Sequence, residues 1–133
     1  MFESCEDIER LFLPFFSEET AKEEIIIYNF GKFLKRVQNG KVCTPWVDLI
    51  TEQEEDVVLN TGHILQALLG SPFIPRNFPS GLIIFDHNSN EITHVNTCAP
   101  SITFSNLNSL RNYKNLTEML INVIVCAYGF GTC

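Results

Sequence analysis

Prolines at positions 72, 75 and 79 constrain this chain more than any other feature. Proline cannot donate a helical hydrogen bond and its ring clashes with the preceding turn, so no helix runs through residues 72–79. On the N-terminal side, Ile64, Leu65, Leu68 and Leu69 recur at helical spacing from about Thr61, and Gly70 stands where left-handed backbone ends a helix. On the C-terminal side, Leu82-Ile83-Ile84-Phe85 is a short apolar run rich in β-branched residues. The proline stretch is therefore a rigid link between a helix and a strand, and it points to an α+β domain.

Further along, Asn88-Ser89-Asn90 is turn chemistry, and residues 92–95 are expected to return as a strand paired with residues 82–85. Ile102 and Phe104 alternate with polar neighbours as in a half-buried strand. A final helix over residues 116–127 turns Leu116, Met119, Leu120, Val123 and Ala127 inward, with Asn115 and Glu118 at capping-box spacing and Gly129 as its stop. Upstream, Ile26, Phe30, Phe33, Leu34 and Val37 define a long amphipathic helix over residues 18–38, with Thr20 and Glu23 at capping-box spacing. A shorter helix over residues 5–13 ends at Pro14. Residues 41–50 read as a connector or extended segment, and Thr51 with Glu54 suggests a short acidic helix reaching Leu59.

Charge divides the chain. Of 16 acidic and 9 basic residues, residues 1–58 hold all the excess acid behind the net charge of −7, and the remainder is neutral. Without clustered Lys and Arg, nucleic acid and anionic membrane surfaces are not expected partners. The 5 cysteines form an odd set with no CxxC pair, so neither a disulfide framework nor a zinc site is expected, and a reducing, intracellular compartment fits. No apolar run approaches the ~18 residues of a membrane span, and the N-terminus lacks a signal-peptide pattern.

Cys98 differs from the other cysteines by lying in a polar loop, residues 95–100, between two expected strands, where a thiol is open to reaction. Cys126 falls on the last helix and reads as structural, with Cys5 and Cys43 as bystanders. His63, His87 and His94 sit in no recognisable hydrolase signature, which ranks a cysteine hydrolase third among the readings.

The run Ile92-Thr93-His94-Val95-Asn96-Thr97-Cys98, then Ile102-Thr103-Phe104, then residues 116–127 and a closing Gly129-Phe130-Gly131, resembles the C-terminal lobe of HECT-type ubiquitin ligases. Residues 64–75, with their helix, glycine and Ile74-Pro75, look like the family's approach to that lobe. The resemblance spans about residues 59–133 and implies a small sheet surrounded by helices, preceded by an amphipathic helical segment. It divides the chain into 1–58, a helical segment and connector like the end of the family's N-terminal lobe, and 59–133, the C-terminal lobe. The run Ser17-Glu18-Glu19-Thr20 through Leu34 resembles the helix joining the two. The larger N-terminal lobe, which binds the conjugating enzyme, is too big for these 133 residues.

The resemblance implies that Cys98 takes ubiquitin as a thioester from a ubiquitin-conjugating enzyme and passes it to a lysine of a protein substrate, with no cofactor and no metal, in the cytoplasm or nucleus. Thr97 matches the residue before the nucleophile, either orienting the thioester or only satisfying the loop backbone. Phe130 matches an aromatic that docks the tail during transfer, or is a plug closing the last helix. His94 either tunes the thiol or is an ordinary strand histidine. Asn96, Thr93, Ala99 and Cys133 depart from common family residues. Altered residues around the cysteine leave a second reading: a HECT-like binding or regulatory module of weak or lost activity.

Overall fold

A computed structural model describes residues 5–18, 20–47, 52–71, 73–74, 80–88, 93–97 and 100–127. The elements in order are α1 (Cys5–Leu11), β1 (Phe12–Pro14), α2 (Thr20–Gln38), β2 (Cys43–Val47), β3 (Glu54–Val58), α3 (Thr61–Leu69), β4 (Gly81–Phe85), β5 (His94–Asn96), β6 (Ser101–Phe104), α4 (Leu107–Leu110) and α5 (Tyr113–Ala127). The protein is α+β, with a four-stranded sheet ordered β1-β4-β6-β5 and a separate two-stranded sheet of β2 and β3.

β4 lies at the centre of the larger sheet. It pairs in parallel with β1 on one side and with β6 on the other, and β5 runs antiparallel to β6 at the edge. The hairpin is thus β5–β6, not the expected pairing of residues 92–95 with residues 82–85. Register explains the outcome: Ile83 and Phe85 stand opposite Ile102 and Phe104, and all four side chains are buried. Direct pairing with β6 places the two apolar pairs side by side on one face.

α2 runs 19 residues and covers that face. The expected stripe of Ile26, Phe30, Phe33, Leu34 and Val37 is buried, together with Glu23 and Asn29. Phe30 meets Phe104 edge to face with ring centroids 5.9 Å apart, and Phe104 lies 6.1 Å from Phe85. The Asn29 amide donates to the Leu110 and Arg111 carbonyls, satisfying groups that the end of α4 leaves open. Residues on both sides of position 58 contribute to one core cluster.

Three local expectations are corrected. The first helix stops at Leu11, and Phe12–Pro14 join the sheet because Phe12 is worth more under α2 than on a helix surface, being 1% exposed. The acidic segment expected as a helix is β3, paired antiparallel from Cys43↔Val58 to Val47↔Glu54. Glu54, Glu55 and Asp56 are exposed, so no apolar stripe anchors a helix there, while Val57 and Val58 favour a pleated ladder. α5 begins at Tyr113, with Asn112 Oδ1 accepting from Lys114 N and Asn115 N, and its buried line is Leu116, Leu120 and Ile124. Met119 and Val123 only flank that line, and Ala127 is exposed.

Candidate functional site

β5 and β6 are connected by residues 97–100, after the pair Asn96↔Ser101 closes the ladder. The far end of this connection is held to the central strand, because Leu82 N donates to the Pro100 carbonyl at 3.0 Å. The near end is supported by α3. Asn60 caps that helix, its side-chain oxygen accepting from His63 N at 3.1 Å while Asn60 N donates to His63 Nδ1 at 3.0 Å. The helix closes at Gly70, with φ 78° and its N–H donating to the Gln66 carbonyl. A Cβ at Gly70 would lie 4.0 Å from the Thr97 Cβ, so the end of α3 abuts the turn. Thr97 is exposed there. Thr97 is thus held at the end of β5 against the end of α3, and Pro100 at the start of β6 against β4.

Of the expected site residues, Thr97 stands on this turn. Cys98 and Phe130 lie outside the described residues, as does the side chain of His94. Thr93, just before β5, is buried, and Ser105 N donates to its Oγ1 at 3.5 Å.

Cys126, read as a structural residue in a chain with no disulfide framework, is disulfide-bonded. Its place on α5 is half-buried, beside the Leu116–Leu120–Ile124 line rather than within it. Cys43 is free and exposed.

The fold assembles one polar cluster that sequence reasoning missed. Glu23 is fully buried at the start of α2. Its Oε1 accepts from Ser17 N at 2.8 Å, and its Oε2 accepts from Ser17 Oγ at 2.7 Å and from His87 Nε2 at 2.6 Å. Burial opposes the charge on Glu23, but the Ser17 hydroxyl, the His87 ring and the Ser17 N–H outweigh it, holding the carboxyl below its ordinary value of 4.5. Instead of pairing with Thr20, Glu23 reaches back to Ser17.

Serine, histidine and carboxylate together suggest a hydrolytic triad, but the geometry excludes one. Ser17 Oγ also approaches His87 Nε2, at 3.1 Å, so serine and carboxylate share one ring nitrogen. A relay needs the nucleophile on one nitrogen and the carboxylate on the other. The cluster is a clamp that ties α2 to the segment following β4. His63 is likewise committed: its Nδ1 accepts in the α3 cap, and burial lowers its pKa below 6.5.

Among the described residues no helix is long and apolar enough to cross a membrane. Comparison with known protein families, with curated sequences and with solved structures gave no match.

Proposed function

We propose that this chain carries the ubiquitin-transfer lobe of a HECT-type ligase, with residues 59–133 as the catalytic lobe and residues 1–58 as the end of the preceding lobe. Cys98 is the acceptor. The observation that supports this reading is the exposed Thr97 at the end of β5, beside Gly70, with Pro100 tied to Leu82 at the start of β6. The thiolate of Cys98 attacks the thioester carbon of ubiquitin carried by a conjugating enzyme, and that enzyme's thiolate leaves. A deprotonated lysine amine of the protein substrate then attacks the new thioester, forming an amide and releasing Cys98 thiolate. Exchange between thioesters is nearly isoenergetic, so a sparse centre that positions a thiolate suffices. The second step is downhill and needs only removal of the ammonium proton. Thr97 orients the loop, and Phe130 docks the tail during transfer. A cytoplasmic or nuclear location supplies the reduced thiol.

A second reading is a HECT-like regulatory module of weak or lost activity, for which the departures from the family at Thr93, Asn96 and Ala99 around Cys98 speak. One experiment separates the two. The chain is incubated under reducing-agent-free conditions, after prior reduction, with ubiquitin-loaded conjugating enzyme and resolved on non-reducing gels. A thiol-labile adduct that disappears in Cys98→Ser and persists in Cys126→Ser supports transfer. No adduct, where a complete ligase forms one, supports the regulatory module.

A further inference from the structure

The fold gathers cations that the sequence holds far apart. Lys32 and Arg36 lie one turn apart on α2 with Lys35 beside them, and Arg111 and Lys114 stand on either side of Tyr113, the first residue of α5. The Asn29 amide ties the two segments together through the Leu110 and Arg111 carbonyls, just before Lys32 on α2. Lys32 Nζ is 4.5 Å and Arg36 Cζ 6.0 Å from the centroid of the Tyr113 ring, so both cations are drawn to the residue between Arg111 and Lys114. All of these basic residues are exposed, and together they are more than half of the 9 in a chain of net charge −7. Among the described residues none of them forms an ion pair. We propose that this α2–α5 face binds a short acidic segment of a partner protein.

Stability within the chain does not account for the cluster. Lys35 and Arg36 fall in the last turn of α2, where the helix dipole favours cations. Arg111 and Lys114 sit at the N-terminal pole of α5, where the dipole favours anions, and no acidic residue occupies that first turn. They also stand beside Lys32 and Arg36, and like charges this close repel. Basic residues placed where the helix disfavours them, unpaired and open to solvent, form a surface whose counter-charge comes from outside the chain.

Acidic neighbours limit how long that counter-charge can be. Glu118 is exposed one turn beyond Lys114 on α5. Glu6 and Glu9, exposed on α1, line the same groove as Lys32 and Lys35. The cations are thus bordered by acid on both sides, and Lys32 to Arg36 spans only about 6 Å along the helix axis. A segment with two or three carboxylates fits this span. A long polyanion such as nucleic acid continues past it onto the acidic border and meets the excess negative charge of the chain.

The test uses the whole chain and a fluorescein-labelled peptide with three consecutive glutamates between glycine and serine residues, read by anisotropy. Saturable binding is expected, weakened at least about tenfold by Lys32→Glu and by Lys114→Glu, and weakened as salt rises from about 50 to about 200 mM. Arg10→Glu makes the same change in net charge on α1 and should leave binding within about twofold. Lys114→Glu should melt at or above the parent's midpoint, because a carboxylate suits the first turn of α5, so its loss of binding is not unfolding. Binding that is absent, unchanged in both patch variants or lost equally in Arg10→Glu overturns the proposal, as does a midpoint of Lys114→Glu below the parent's. A duplex oligonucleotide or a phosphatidylserine vesicle that binds more tightly than the peptide makes the face a site for extended polyanions and overturns it too. So does a concentration-dependent dimer that Lys114→Glu dissolves, which makes the exposed acidic residues of β3 in a second copy the occupant.

Discussion

His87 Nε2 and Glu23 Oε2 are 2.6 Å apart, joining a fully buried carboxylate near the start of α2 to the segment that follows β4. Removing charge from Glu23 while keeping its shape leaves Ser17 and His87 facing a weaker acceptor. Glu23→Gln is therefore expected to lower unfolding free energy by about 1–3 kcal/mol, read from urea denaturation. An unchanged midpoint would show that the clamp contributes nothing.

The same carboxylate makes stability acid-sensitive. Its folded pKa lies below 4.5, so its contribution is complete above pH 4.5 and is lost as pH falls through the folded value. Parent and Glu23→Gln should differ most above that pH and converge below it. A difference that stays constant down to the acid limit would sink the assignment.

His63 titrates with the same sense in a different range. Burial lowers its pKa below 6.5, so the folded state resists protonation and stability declines as pH falls from 6.5 toward the folded value. Asn60→Ala removes the side-chain half of the reciprocal cap and should cost about 1 kcal/mol, measured as a shift in melting temperature. NMR titration of the His63 ring should show its pKa still lowered in that variant, because its cause is burial and the bond from Asn60 N to Nδ1 is a backbone one.

Gly70 tests the support of the Thr97 turn. With φ at 78°, Gly70→Ala places a side chain in left-handed backbone and should cost roughly 1 kcal/mol. The new Cβ makes only an ordinary contact with Thr97, so the loss is one of backbone strain. If transfer through Cys98 operates, ubiquitin loading should persist in this variant at temperatures where it remains folded.

The disulfide at Cys126 gives a direct check on the transfer reading. Peptide mapping under non-reducing conditions identifies the partner of Cys126. A link to Cys5 or Cys133 leaves Cys98 available, whereas a link to Cys98 means that the oxidised chain cannot form the thioester.

Much of the layout was legible without coordinates. The α2 stripe, the α3 start near Thr61, the left-handed Gly70 and the buried pair Ile102 and Phe104 follow from local periodicity and turn chemistry, which act within a few residues. Thr97 was placed next to a strand end for the same reason. The Ser17–Glu23–His87 clamp was not legible, because its members become neighbours only when the segment after β4 meets the start of α2.

Sequence alone determined that residues 20–38 and 61–69 are amphipathic helices and that Gly70 ends the second of them. Tertiary structure decided that residues 12 and 13 leave the expected first helix and join Pro14 in the sheet, that β4 takes β6 rather than β5 as its partner, and that residues 54–58 become a strand. Each of those choices depends on pairing or burial against residues far along the chain. Local propensity differs by at most about 1 kcal/mol per residue, and burying one large apolar side chain outweighs it.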